Sequence, residues 1–160
     1  MAKRDPFHLP DEEARALARN LVSNASFAAL AVLQDEDPVV TRIALAVTPD
    51  GAPMTLISDL STHTSALRIK PLCSLLVGEP GDKGDPLTYP RLTLQATALF
   101  VPRDSTGHQV LRNHYLQLRP KAKLYIDFTD FHLVRFEVET GLLNGGFGRA
   151  YKLKSTDFRA

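Results

Sequence analysis

The sequence predicts a mainly β protein with flanking helices, an antiparallel barrel of six strands. Three observations predict it. Alternating apolar runs recur between short turn signals, most clearly at Arg91–Val101 and Phe131–Val138. Thr48-Pro49-Asp50-Gly51 joins two runs of strand-forming residues, with Pro second and Gly fourth, which is the chemistry of a tight turn. The connections are short, and six strands in a small domain remove their exposed edges by closing on themselves.

The elements follow in order. Asp11–Asn24 reads as a helix: Pro10 and Asp11 suit its start, and Ala14, Leu17, Ala18, Leu21 and Val22 form one apolar face. Phe27–Gln34 fits strand or helix by periodicity alone. Its length and the Asp35-Glu36-Asp37-Pro38 turn after it favour a strand. Val39–Val47 and Pro53–Ser58 are strands of one hairpin. Ser61–Lys70 is a short helix capped by Ser61 or Thr62 and stopped by Pro71. Leu72–Gly78 is an apolar strand, and Glu79–Pro90 is a loop rich in Gly, Pro and Asp. Along Arg91–Val101, Leu92, Leu94, Ala96, Ala98 and Phe100 share one face. Arg103–Leu118 is an amphipathic helix and Arg119–Lys123 a solvated basic connector. Phe131–Val138 is the last long strand, followed by a Gly-rich arm at 141–160.

Composition narrows the function classes. The 160 residues carry a net charge of +1, which argues against a nucleic-acid binder. Residues 1–160 read as a single domain without repeats or a dividing linker. The single Cys73 excludes an internal disulfide and fits a reducing compartment. Met1–Pro10 has no apolar stretch of the kind a secretory signal needs, so the expectation is a soluble cytoplasmic protein.

A few residues carry chemistry. Ser58, Asp59, Ser61, Thr62, His63 and Thr64 leave a strand and enter a helix, where hydroxyls and free amides favour an anion. Ser and Thr there also serve as plain caps. Arg42, within an apolar strand, and Arg91, at the start of another, face either solvent or a ligand. Gly145-Gly146-Phe147-Gly148-Arg149 allows close backbone approach but lacks the strand-to-helix setting of a nucleotide fingerprint. The five histidines show no paired metal-ligand spacing, and Cys73 reads as a buried small hydrophobe.

Taken in order, Thr41-Arg42-Ile43-Ala44, Asp50-Gly51, Leu56-Ile57-Ser58-Asp59-Leu60, His63-Thr64, Pro90-Arg91-Leu92-Thr93-Leu94 and Gly145-Gly146-Phe147-Gly148-Arg149-Ala150 resemble the FMN-binding split-barrel superfamily. That superfamily includes pyridoxamine 5'-phosphate oxidase, and the chain is most similar to its haem-utilisation branch. The resemblance implies a six-stranded split barrel and a homodimer with FMN at the subunit interface. It implies FMN contacts at Arg42, Ile43, Ala44, Ser58, Asp59, Thr62, His63, Thr64 and Arg91, with Arg149 on a segment that closes over the ring. It implies a flavin-dependent oxidoreductase acting on a small molecule. The charge balance and the lack of a long apolar run lead to the expectation of no nucleic-acid or membrane partner. A module that binds or stores flavin or haem is the alternative, and deazaflavin is an alternative cofactor. Thr62-His63 stands where the oxidase has an Arg-Lys pair on the phosphate. Val47 stands near its substrate-contacting lysine, so vitamin B6 oxidation is not expected.

Overall fold

The computed structural model describes residues 2–159. It contains three α-helices and eight strands of one sheet. Helix α1 (Glu12–Asn24) starts where the Asp11 carboxylate accepts the Ala14 amide at 2.8 Å. Its buried face is Ala14, Ala18 and Val22, as the spacing predicts. Strands β1 (Phe27–Gln34) and β2 (Asp37–Ala44) form a hairpin in full register. Its turn puts Asp35 and Glu36 at φ 49° and 69°, the left-handed geometry that two-residue hairpins require.

Leu45, wholly buried, divides β2 from β3 (Ala46–Val47), which pairs with β4 (Pro53–Ser58). The expected Val39–Ser58 hairpin is therefore only two residue pairs deep. The reason is local. The Leu45 amide donates to Ser26 O, and its carbonyl accepts the Arg119 guanidinium at 2.6 and 3.0 Å. The bend lets one run of chain pair with β1 at one end and β4 at the other. The sheet order β2-β1-β5-β6-β7-β4-β3 thus returns to its starting strand and closes a barrel of six strand runs.

The remaining strands are β5 (Leu72–Val77), β6 (Arg91–Phe100), β7 (Phe131–Asn144) and β8 (Ala150–Lys154), all antiparallel to their neighbours. Two expectations need correction here. The last long strand runs on to Asn144, and the Gly-rich arm contains an eighth strand. A register shift opposite Gln95/Ala96 leaves Glu139 as an extra residue, so the apolar alternation slips and the strand looks finished at Val138. Gly146 and Gly148, at φ 116° and 71°, turn the chain back into β8. One edge of β7 pairs with β6. Its other edge pairs with β4 as far as Arg135 and with β8 from Thr140 onward. Phe136–Glu139 lies in the gap between them, and this gap is the split of the barrel.

Helix α2 (Thr62–Ile69) buries Ala66 and Leu67 in the barrel core with Leu30, Leu75, Leu92, Leu94 and Phe136. Helix α3 starts at Thr106, where Ser105 caps it, and runs to Leu118. It covers a smaller core of Ala46, Met54, Leu56, Tyr115, Ala122, Ile126 and Leu133. Burial pushes the Tyr115 phenol up to about 12. The segment after α3 is a 3₁₀ turn, Pro120–Leu124, and Arg119 is no solvated connector. It reaches inward to the carbonyls of Leu45 and Ala25. No described helix is long and apolar enough to cross a membrane.

Candidate functional site

The structure separates the predicted site residues into groups. The first lies at the β4–α2 turn. Ser58 Oγ donates to Asp130 Oδ2 at 2.9 Å and accepts the Leu60 amide. The Thr64 hydroxyl, buried, donates to Ser58 O at 2.6 Å. Asp59 meets His132 Nε2 at 2.9 Å and Arg68 at 3.4 Å, and these partners, His132 first, hold its carboxyl below the usual range. The His132 contact lies off the line of a good hydrogen bond. His63 is buried, its Nδ1 hydrogen-bonded to Thr41 Oγ1 at 2.9 Å. Burial lowers its pKa. Ser61 occupies the cap position without a side-chain capping bond, and Thr62 is exposed. The polar groups of this turn therefore bond mostly to one another.

The second group lies on the outer face of the sheet. Side chains alternate along β2, so Ile43 points into the core while Arg42 and Ala44 face out. The Arg42 guanidinium lies 5.2 Å from the centre of the Phe27 ring, a cation–π distance. No described residue gives Arg42 a carboxylate partner within ion-pair distance, and it makes no hydrogen bond to the start of α2. The Ala44 carbonyl accepts the Thr55 hydroxyl at 2.6 Å. Arg91 donates to Leu87 O at 2.9 Å and to Tyr89 O at 3.5 Å, which fixes the preceding loop. Arg149 is exposed in the β7–β8 turn, its backbone bonded to Gly145 and Gly146. Arg42 and Ala44 are thus on a different surface from the β4–α2 turn, Ile43 is in the core, and the turn of Arg149 adjoins Arg91 through the Ala150–Asn144 pair.

Strand register reveals what unites the outer face. Arg42 is opposite Ala29, Ala29 opposite Leu76, Leu76 opposite Thr93, Thr93 opposite Leu142, and Leu142 opposite Lys152. This row crosses six strands. Its middle is uncharged and mostly apolar and its ends are cationic, with Arg91 two residues along β6 from Thr93. A shallow cavity of about 290 Å³ opens over it, lined by Phe7, Leu76, Arg91, Thr93, Leu142 and Asn144 among others. The N-terminal arm reaches this cavity through a bridge between His8 and Tyr151. Sequence reasoning missed Phe27, Leu76, Leu142 and Lys152. Their relation lies in cross-strand register, which spacing along the chain does not reveal.

A larger cavity of about 950 Å³ opens at the split of the barrel and contains none of the ten predicted site residues. Val22, Val47, Leu94, Phe136 and Val138 line it. Charges of both signs surround its mouth, and the cations there are largely engaged. Arg135 pairs with Asp50 at 2.6 and 3.0 Å, and Arg19 pairs with Glu12 at 2.6 Å. Cys73 is buried in the core, its thiol pushed up to about 12, which makes it unreactive as a nucleophile.

Comparison with known proteins agrees with the architecture. Over 115 residues the chain is 32% identical to the non-canonical haem oxygenase HOZ of Arabidopsis thaliana, covering 71% of this chain and 34% of that protein. Over 107 residues it is 32% identical to the haem oxygenase HutZ of Vibrio cholerae, covering 64% of this chain and 59% of that one. It thus spans about a third and three fifths of these two curated relatives. A haem-binding protein of Mycobacterium smegmatis superposes with a TM-score of 0.82 at 25% identity, over 95% of this chain and 61% of that one. The split-barrel, pyridoxamine 5'-phosphate oxidase-like resemblance and its haem-utilisation branch therefore stand. The family model described as "CREG, beta-barrel" matches residues 9–160, and the chain belongs to that family.

Proposed function

We propose that the chain is a haem-binding module of the haem-utilisation type, with the tetrapyrrole lying on the outer face of the sheet. The observation that carries this reading is the row from Arg42 to Lys152, an apolar strip with cations at its margins and Arg91 beside it. A planar apolar macrocycle would cover neighbouring positions of the row, Ala29 and Leu76. Its two carboxylates leave from one edge, and that edge would meet the Arg42 guanidinium, which binds a carboxylate through paired donors. Arg42 is held only by a ring face and is free to turn toward a carboxylate. The haem names of the relatives support the same choice of ligand. Haem here is the substrate or cargo. The residues named bind and orient it and shield one of its faces from water.

FMN is the second reading, favoured by the uncapped Ser61 and exposed Thr62 at the start of α2. The weakness of that reading is charge, since Thr62 and His63 bring no cation to a phosphate dianion. A homodimer is proposed with either ligand. Leu33, Val40, Leu72 and Leu99 are exposed apolar side chains on the outer face, the last three 68%, 62% and 42% exposed.

The test is to incubate the protein separately with hemin and with FMN, remove free ligand, and record visible spectra. The expected result is a retained Soret band, with hemin affinity about tenfold lower in Arg42→Ala. Retention of FMN without hemin overturns the haem reading and establishes the second.

A further inference from the structure

The small cavity on the outer face combines hydrogen-bond donors with apolar walls, and among the described residues no carboxylate lines it. Phe7, Leu76 and Leu142 form the walls, and Arg91, Thr93 and Asn144 the polar side. Arg91 and Asn144 are direct cross-strand partners on β6 and β7, and Thr93 stands two residues along β6 on the same face. Each polar side chain keeps a donor unspent. Arg91 uses only Nη1, on the carbonyls of Leu87 and Tyr89, so the loop holds the guanidinium while Nε and Nη2 stay free. Asn144 Oδ1 accepts the Gly146 amide at 3.0 Å, which fixes the side chain and leaves its NH2 group without a partner among the described residues. The Thr93 hydroxyl likewise meets no described partner. The arm before α1 completes the pocket, because the His8 amide donates to Ala150 O at 2.8 Å and sets Phe7 beside it.

We infer that this pocket binds a small apolar monocarboxylate. Nε and Nη2 are the side-on pair of a guanidinium, and a carboxylate accepts both in two parallel hydrogen bonds. Asn144 and Thr93 offer donors to the remaining lone pairs. One lining cation matches one negative charge, and the apolar walls take the body of the ligand. Size sets the upper bound. At about 30 Å³ for each water-sized group, 290 Å³ encloses roughly ten non-hydrogen atoms. That is the scale of an aromatic or short branched acid, and not of a flavin or a tetrapyrrole. The pocket is also apart from Arg42. Strands β1 and β5 stand between β2 and β6, and closure of the barrel turns the two arginines to different sides. The inference therefore goes beyond the haem reading and does not depend on it.

The experiment titrates the ligand-free full chain with benzoate, with its neutral counterpart benzamide and with inorganic phosphate, following backbone amide NMR signals. The expected result is saturable millimolar binding of benzoate that moves the signals of Phe7, Arg91, Thr93 and Asn144 together. Benzamide and phosphate bind at least tenfold more weakly. Asn144→Asp keeps an acceptor for the Gly146 amide and places a carboxylate in the pocket, so it should lower benzoate affinity at least tenfold while the urea midpoint changes little. Arg91→Lys keeps the charge, loses the paired donors and should cost about fivefold. Equal binding of benzoate and benzamide, benzoate affinity unchanged in Asn144→Asp, or no saturable shift at these residues overturns the inference. Phosphate binding tighter than benzoate overturns the carboxylate class. Hemin retention by the same preparation bears only on the haem reading, so the two fail separately.

Discussion

The β4–α2 turn and the outer face of the sheet both attracted notice in the sequence, and they are built in opposite ways. At the turn, Ser58, Asp59, His63 and Thr64 spend their polar atoms on Asp130, His132, Thr41 and the local backbone. On the outer face, Arg42 has only the Phe27 ring, and Lys152 is exposed. A polar group already satisfied inside the protein gains little from a ligand, whereas an unpaired cation beside an apolar strip gains a partner. On the proposed reading, the turn is structural and the face recognises the ligand.

The sharpest way to break it is the double variant Arg42→Ala/Arg91→Ala. A charge-assisted hydrogen bond contributes about 1.5–3 kcal/mol. The double variant should therefore weaken hemin binding at least tenfold, the loss expected of Arg42→Ala. The midpoint of urea unfolding should move little, because Arg42 makes no hydrogen bond within the chain. Arg91 holds the 87–89 loop, so a control with Arg91→Lys checks that the loop is not the cause. Equal losses of binding and stability would show that the face is structural after all.

The converse change is Thr64→Val, which keeps the shape and removes a buried hydroxyl. Ser58 O then loses its 2.6 Å donor and keeps the Ser61 amide at 3.0 Å. Losing one such hydrogen bond costs about 0.5–1.5 kcal/mol. Urea unfolding should register that loss, while hemin affinity stays within about twofold. A tenfold loss of hemin affinity would move the turn into the binding site.

These contrasts also explain what the sequence could reveal. The apolar face of α1, the inward set Leu92–Ala98 and the buried Cys73 were all legible, because burial leaves a period along the chain. The eighth strand was not legible, since the Glu139 bulge breaks the alternation and glycines disguise the turn as an arm. Arg119 looked like part of a basic connector, because Leu45 O and Ala25 O lie 74 and 94 residues away. Arg42 and Arg91 were visible as charged residues in strands, but nothing in the chain order places Leu76 between them. The FMN contacts came from resemblance. The Ile43 side chain faces the core, while the Arg42 side chain meets the ring of Phe27.

Acid should act on the turn before it acts on the face. Burial lowers the folded-state pKa of His63 below 6.5. The unfolded chain then binds more protons between that lowered value and pH 6.5. Stability is fully present above about pH 7 and declines as pH falls through this window. In His63→Gln this part of the pH dependence should vanish, as followed by thermal unfolding at a series of pH values. Persistence of the full decline in the variant would assign it to another histidine, with His108, also lowered by burial, the first to test.

The smallest expected effect belongs to the ion pair at the split of the barrel. Asp50 is held at about 2, first by its hydrogen bond from Arg135 and then by Thr48. Its contribution is present above its unfolded value near 3.8 and is lost as pH falls toward 2. Both side chains are more than a third exposed, so water screens the pair and its stability contribution is about 1 kcal/mol or less. Arg135→Gln should therefore shift the acid limb of unfolding only slightly and leave hemin binding unchanged. That insensitivity follows from position, because Arg135 pairs with Met54 and Leu99 toward the far end of β7 from Leu142. A loss of hemin affinity in Arg135→Gln would relocate the ligand from the cationic strip to the large cavity at the split.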